Sequence, residues 1–211
     1  MAKLIKKGAE ADILLGNWHS ILSIFKVRKR RSYMLPELDE ALRHQRTIRE
    51  AELIKEAKEL NVPTPRLYFV NLKDSTIIME YVKGNSLKSM LDKKTEAPFW
   101  FKQVGIKLGN LHEGGIIHGD PTPGNFIISN RKLITLDFGL SFRSLKIEDR
   151  AVDLHLMKEV LAGCCPAEFL NYYNNFLAGY TMSMGDHANE VIRHVQTIER
   201  RGRYARAAWL G

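Results

Sequence analysis

The sequence predicts an α+β protein of two unequal lobes: a small antiparallel sheet with one long helix, then a reduced, mostly helical C-terminal lobe. Three observations carry this expectation. Strand-like runs crowd the first 27 residues and the stretch 66–81, with a single long charged helix between them. From residue 84 onward the pattern is mostly helical. One block, residues 118–139 (HGDPTPGNFIISNRKLITLDFG), interrupts the helices with two short β-like runs set between polar residues. The chain divides accordingly into an N-terminal lobe (1–83), a C-terminal lobe (84–199) and a basic tail (200–211).

Composition narrows the class. With 211 residues and 45% hydrophobic content, a core is available to one compact domain or to two small lobes sharing a cleft. No apolar run approaches a membrane span, and the opening MAKLIKKGAEA lacks the apolar region of a signal peptide. The two cysteines, Cys164 and Cys165, are neighbours and cannot build a disulfide framework, which points to a reducing cytoplasm. A formal net charge of +8 favours an anionic partner, and both a nucleotide and a nucleic acid suit it.

In chain order, residues 12–16 and 20–27 read as strands around a Gly16-Asn17-Trp18-His19 loop. Ahead of them, Gly8-Ala9-Glu10-Ala11 has one glycine and by itself reads as an ordinary turn. Lys26 ends the second strand, just before the basic run Arg28-Lys29-Arg30-Arg31, which favours reading Lys26 as a solvated edge lysine. Leu35-Pro36 opens a helix over 37–60, with Leu38, Leu42, Ile48, Ala51 and Leu60 as its apolar face and Glu50 beside it. Pro63-Thr64-Pro65 stops that helix, and strands 66–71 and 75–81 follow around Lys73-Asp74. After Met79-Glu80-Tyr81-Val82 the pattern turns helical, so Glu80 and Val82 sit where a backbone could meet the edge of an adenine.

Residues 87–91 form a short helix and 98–112 a longer one, with Phe99, Trp100, Val104, Leu108 and Leu111 facing a core. His118 reads as a packing residue that holds the loop after it. Asp153, on the helix that follows Gly139, is open to two readings: buried and pinning that loop, or solvated. Two last helices cover 166–184 and 186–200. The tail offers Arg200, Arg201, Arg203 and Arg206 with Tyr204 and Trp209 among them, either a contact for phosphates and bases or a solvated end.

The block at 118–139 carries the chemistry. Asp120 is a carboxylate able to orient a hydroxyl or a water, and Asn125 and Asp137 are hard oxygen ligands suited to Mg²⁺ that carries phosphates. The β pair between them fixes their separation. Phosphoryl transfer asks for this kind of positioning and charge neutralisation, with little covalent help from the protein.

The order H-x-D-x-x-x-x-N, β pair, D-F-G resembles the protein-kinase superfamily. Gly8-Ala9-Glu10-Ala11, Lys26, Pro36-Glu37-Leu38-Asp39, Arg46-Thr47 with Glu50-Ala51, and Thr122-Pro123-Gly124-Asn125 make it similar, over nearly the whole chain, to the small atypical kinase family of the KEOPS complex. That assembly makes threonylcarbamoyladenosine in tRNA. The resemblance implies ATP and Mg²⁺ as cofactors, with Gly8, Ala9, Glu10 and Ala11 in the loop over the nucleotide. It implies Lys26 on the α/β-phosphates, Glu50 orienting Lys26, Glu80 and Val82 on adenine, Asp120 as base, and Asn125 and Asp137 on the metal. It implies an ATPase and self-phosphorylating serine/threonine kinase that serves a tRNA threonylcarbamoyl-transferase subunit and other KEOPS-type subunits, with tRNA as a further partner. Departures are Pro121 where leucine is expected, Gly119 in place of a phosphate-clamping arginine, Thr122 in place of a lysine, and no A-P-E after D-F-G. Two alternatives are a small-molecule phosphotransferase of the aminoglycoside or choline kinase type, and a nucleotide-gated tRNA-binding module without turnover.

Overall fold

The computed structural model describes the backbone of residues 2–208 and the side chains of residues 2–201. Strands β1 (Lys3–Lys7), β2 (Ala11–Trp18) and β3 (Ile21–Arg28) lead to helix α1 (Pro36–Glu59), followed by β4 (Leu67–Asn71) and β5 (Thr76–Glu80). The five strands form one antiparallel sheet in the order β1-β2-β3-β5-β4. The β2–β3 turn lies at His19-Ser20, later than the Gly16–His19 loop read from sequence. Both residues have positive φ, 47° and 66°, as a two-residue hairpin turn that matches strand twist requires. Trp18 therefore stays in the strand and stacks on Phe69 of β4 with ring centroids 5.3 Å apart.

Helix α1 starts with Pro36 in its first turn, where the missing N–H costs nothing. It ends before the proline pair, at Asn61 in the left-handed region (φ 58°), and Val62 N–H caps the carbonyl of Ala57 at 2.9 Å. Its apolar face is not the one the periodicity suggests: Leu38 and Ile48 are exposed. The buried positions are Asp39, Thr47, Glu50, Leu53, Ile54 and Ala57, so the first half of the helix turns a polar stripe inward. That stripe is satisfied locally. Asp39 accepts from Arg43 Nε at 2.7 Å and from the Arg31 N–H at 3.0 Å, and Thr47 donates to the Arg43 carbonyl at 2.7 Å.

The C-terminal lobe contains β6 (Asn85–Ser86), a 3-10 turn (Leu87–Met90), α2 (Ala97–Glu113), β7 (Ile116–Ile117), a second 3-10 turn (Pro123–Asn125), β8 (Phe126–Ser129) and β9 (Lys132–Thr135). Then come β10 (Phe142–Arg143), α3 (Ile147–Cys164), α4 (Phe169–Met184) and α5 (His187–Ala208), which continues past position 199. Helices α2 and α4 touch through backbone: a Cβ on Gly105 would meet the Phe176 carbonyl at 2.0 Å, and one on Gly179 the Lys102 carbonyl at 2.0 Å. Around them a single apolar core includes Phe101, Leu108, Leu111, Phe126, Phe138, Leu154, Tyr172 and Phe176. Phe99, expected to face this core, is exposed and only edges onto Trp100 at 5.0 Å. Among the described residues no helix is long and apolar enough to cross a membrane.

Candidate active site

The loop after β7 is held from below. Asp153 on α3 is fully buried, and its carboxylate accepts from the backbone N–H groups of His118 at 2.7 Å and Gly119 at 2.9 Å, with His112 Nε2 at 3.1 Å. Of the two readings open for Asp153, the structure selects the pinning one. Gly119 needs its glycine: its φ is +81°, and a Cβ there would meet the Leu140 carbonyl at 2.5 Å. His118 is buried, and that burial lowers its imidazole pKa. In the neutral ring Nε2–H donates to the Leu136 carbonyl at 3.1 Å while Nδ1 accepts from the Asp120 N–H at 3.3 Å. It packs between Phe126 and Phe138 and reaches no solvent.

Asp120 is tied down on both sides of Pro121. Asn125 Nδ2 donates to both the carbonyl of Asp120 (2.8 Å) and its Oδ2 (2.9 Å), and Thr122 N–H closes on the Asp120 carbonyl at 2.8 Å. Strand β9 then brings Asp137 alongside, since Leu136 N–H donates to the Asn125 carbonyl at 2.8 Å. Asp137 takes a left-handed backbone (φ 57°), which turns its carboxylate toward the sheet while Phe138 plugs the core.

From above, Lys26 on β3 completes the cluster. Its ammonium donates to Glu50 Oε1 at 2.5 Å and to Asp137 Oδ1 at 2.6 Å. Burial opposes the charge on Lys26, but Glu50 and Asp137 outweigh it and raise the pKa above its ordinary value. Burial likewise pushes the Asp137 carboxyl up, and Lys26 overrides it and holds that pKa low. Strand, helix and D-F-G segment thus meet at one ammonium.

These groups line a cavity of about 270 Å³ between the lobes. Its walls are Ile13, Ile24, Met79, Ile127 and Leu136, with Glu80, Tyr81 and Val82 at one side and Asn125, Asp137, Lys26 and Glu50 at the other. An apolar slot with a polar end suits a flat ring carrying phosphates. Gly8, Ala9, Glu10 and Ala11 are absent from its lining, which takes Ile5 and Lys6 of β1 instead. Glu10 turns the other way, accepting from Arg46 at 2.7 Å and Arg31 at 3.1 Å. A second cavity of about 380 Å³ lies beyond Asn125, lined by Lys6, Lys88, Asp120, Thr122, Asn125 and Cys164 among others. Sequence reasoning missed Arg28, which is buried against Glu50 at 2.5 Å. The signal was there: Arg28 and Lys26 are two apart on a strand and leave the same face.

A model of the protein kinase domain matches residues 24–157. The KEOPS complex subunit Bud32 of Pyrococcus abyssi is 39% identical over 217 residues, covering 99% of each chain. The chain belongs to the Bud32 family. A probable bifunctional tRNA threonylcarbamoyladenosine biosynthesis protein of Methanobrevibacter smithii is 36% identical over 201 residues, covering 95% of this chain and 36% of its own length. The chain therefore spans about a third of that bifunctional relative. Among solved structures, WaaP in complex with acyl carrier protein aligns with a TM-score of 0.58 over 91% of this chain and 89% of that one. At 13% identity that likeness concerns the fold, and it agrees with the two-lobed architecture and the protein kinase domain of the Bud32 family.

Proposed function

We propose that this chain binds ATP with Mg²⁺ in the inter-lobe cavity and transfers or hydrolyses its terminal phosphoryl group. It would act as an atypical serine/threonine kinase and ATPase that phosphorylates itself. The observation that carries the reading is the ammonium of Lys26 held between Glu50 and Asp137 at 2.5 and 2.6 Å, at the polar end of an apolar slot. Lys26 would meet the α/β-phosphates under the orientation of Glu50, and the backbone at Glu80 and Val82 would meet adenine. The Gly8-Ala9-Glu10-Ala11 turn, which lies outside the lining, would reach the phosphates only by closing over the cavity mouth beyond Ile5 and Lys6. Asp120 gives its Oδ2 to Asn125, so Oδ1 is the atom left to orient a hydroxyl or water.

The donor set fits Mg²⁺. Asn125 spends its amide nitrogen on Asp120, which leaves Oδ1 for a cation, and Asp137 has a second carboxylate oxygen beyond the one that meets Lys26. One carboxylate and one amide oxygen form the kind of sparse set Mg²⁺ uses when substrate phosphates supply other ligands. Bound there, the ion would neutralise charge building on the phosphate oxygens.

The acceptor-side cavity favours this reading over the aminoglycoside or choline kinase type. Cationic acceptors call for an acidic pocket, and here Lys6 and Lys88 stand beside Asp120, the single acid among the described residues of the lining. The relatives named as a KEOPS complex subunit and as a threonylcarbamoyladenosine biosynthesis protein support the partner reading: this chain would associate with a threonylcarbamoyl-transferase subunit, other KEOPS-type subunits and tRNA. ATP turnover and self-phosphorylation by the parent and by Asp137→Ala test the core of the proposal. Loss of both in a folded variant is expected; parental turnover in that variant overturns it. Co-purification of a threonylcarbamoyl-transferase subunit from native extract tests the partner, and its reproducible absence removes that assignment.

A further inference from the structure

Arg28 follows Lys26 by two positions on β3, and only 5% of it is exposed. Its guanidinium donates to Oε2 of Glu50 at 2.5 Å while Lys26 donates to Oε1 at 2.5 Å. One carboxylate thus carries two cations, one on each oxygen. On its far side, Arg28 Nη1 lies 3.6 Å from Oε2 of Glu10. Lys29 fastens the same turn, with Nζ on the Gly8 carbonyl at 2.9 Å and its N–H on the Glu10 carbonyl at 3.1 Å. An unbroken chain of charge runs from Asp137 through Lys26, Glu50 and Arg28 to Glu10.

Packing alone does not call for this arrangement. A buried guanidinium is costly to desolvate, and well-packed apolar residues often replace buried ion clusters without loss of stability. Nε of Arg28 is buried with no hydrogen-bond partner among the described residues, so the cluster is incompletely satisfied. Its two amine ends, by contrast, are aimed at the two glutamates.

We propose that Arg28 is a positioning residue for phosphoryl transfer: by clamping the second oxygen of Glu50, it holds Lys26 in register when nucleotide phosphates draw the ammonium away from Asp137. A carboxylate gripped at one oxygen can swing, whereas one gripped at both keeps its plane. Arg28 also takes up part of the negative charge of Glu50, leaving more of the Lys26 charge for phosphate. Through Glu10 the same guanidinium ties this geometry to the Gly8–Ala11 turn, so turn and ammonium are set together. The inference rests on the proposed nucleotide reading of the cavity.

The test compares Arg28→Gln, Arg28→Lys, Glu50→Gln and the Arg28→Gln/Glu50→Gln double variant in the full chain, together with any subunit that co-purifies. Single-turnover rate, ADP affinity without metal and melting temperature are read for each. Arg28→Gln should lower the rate about tenfold while ADP affinity changes less than about threefold, since the loss falls on the transfer step. Arg28→Lys should recover most of the rate, and the double variant should be no slower than Glu50→Gln alone, because the two act as one unit. A merely structural role predicts a lower melting temperature, a parental rate in the folded fraction and no difference between Lys and Gln. That result overturns the proposal. Should Arg28→Gln not fold, Arg28→Lys combined with Glu10→Gln reads the same chain from its half-exposed end, and strict additivity there overturns it. Lys26→Met separates the two readings. Parental turnover in Lys26→Met rejects the nucleotide site itself, whereas a dead Lys26→Met beside a parental Arg28→Gln rejects only the role of Arg28.

Discussion

The carboxylate of Asp153 reaches across 35 positions of sequence to accept the backbone N–H of His118 at 2.7 Å. The same side chain takes Gly119 N–H and faces His112, so three groups converge on one buried acid. Asp153→Ala leaves those donors without a partner, each costing about 1–3 kcal/mol. Chemical denaturation should show a loss of several kcal/mol on that scale, and ATP turnover should fall in whatever fraction folds. Asp153→Asn, which keeps one acceptor oxygen, should lie between parent and Ala. Parental stability in Asp153→Ala would remove the pinning role.

Asp120→Asn separates base from clamp. It keeps the size of the side chain and a contact to Asn125, and it leaves Lys26, Glu50 and Asp137 untouched. Turnover should fall at least about a hundredfold, the scale of a lost general base, with Mg-ATP affinity close to parent. Calorimetric binding beside a turnover assay decides it. Equal loss of binding and turnover would mean Asp120 holds the nucleotide.

Asp39 predicts a pH effect far from the cleft. The hydrogen bond from Arg43, aided by the Arg31 N–H and opposed by burial, holds its carboxyl below the ordinary value. A depressed carboxyl adds stability above the unfolded value of about 3.9 and loses it as pH falls through the folded value. The melting-temperature gap between parent and Asp39→Asn should therefore be widest near neutrality and close as the pH drops below about 4. A gap that stays constant down to the acid limit would contradict the assignment.

The basic tail makes the last prediction. Arg200 and Arg201 are exposed, and Arg201 donates to Glu148 at 2.7 Å; Arg203, Tyr204, Arg206 and Trp209 lie outside the residues whose side chains are described. If the four arginines contact tRNA phosphates, deleting residues 200–211 should weaken tRNA binding whatever the sequence and flatten its salt dependence. Basal ATP turnover should persist, because every proposed catalytic residue precedes Gly139. Unchanged affinity and salt slope, in the isolated chain and in its complex, would exclude the contact.

Part of the candidate site was legible from residue order alone. The spacing of Asp120, Asn125 and Asp137 is local, and a β pair of two short strands leaves little freedom in how they meet. Lys26 and Glu50 were legible by resemblance, and the structure joins them at 2.5 Å. Less legible was α1, because a helix whose buried face begins with Asp39, Thr47 and Glu50 carries no apolar stripe to count. Arg28 was hidden in a basic run whose other members differ in burial. The course of Glu10 depends on Arg31 and Arg46, 21 and 36 positions away, which meet only after β3 and α1 have packed. The turn at His19-Ser20 lacks the glycine or asparagine that announces positive φ.

The segment that follows Gly139 is short and fastened at both ends. Phe142 and Arg143 pair with Ile117 and Ile116, Ser144 N–H meets the Gly115 carbonyl at 2.9 Å, and α3 begins at Ile147. Gly119 stands where a cation could have met an added phosphate on this segment. Among the described residues the segment is held by backbone pairing, so if the cleft transfers phosphoryl groups, its geometry would be set by the chain's own strands without an added phosphate.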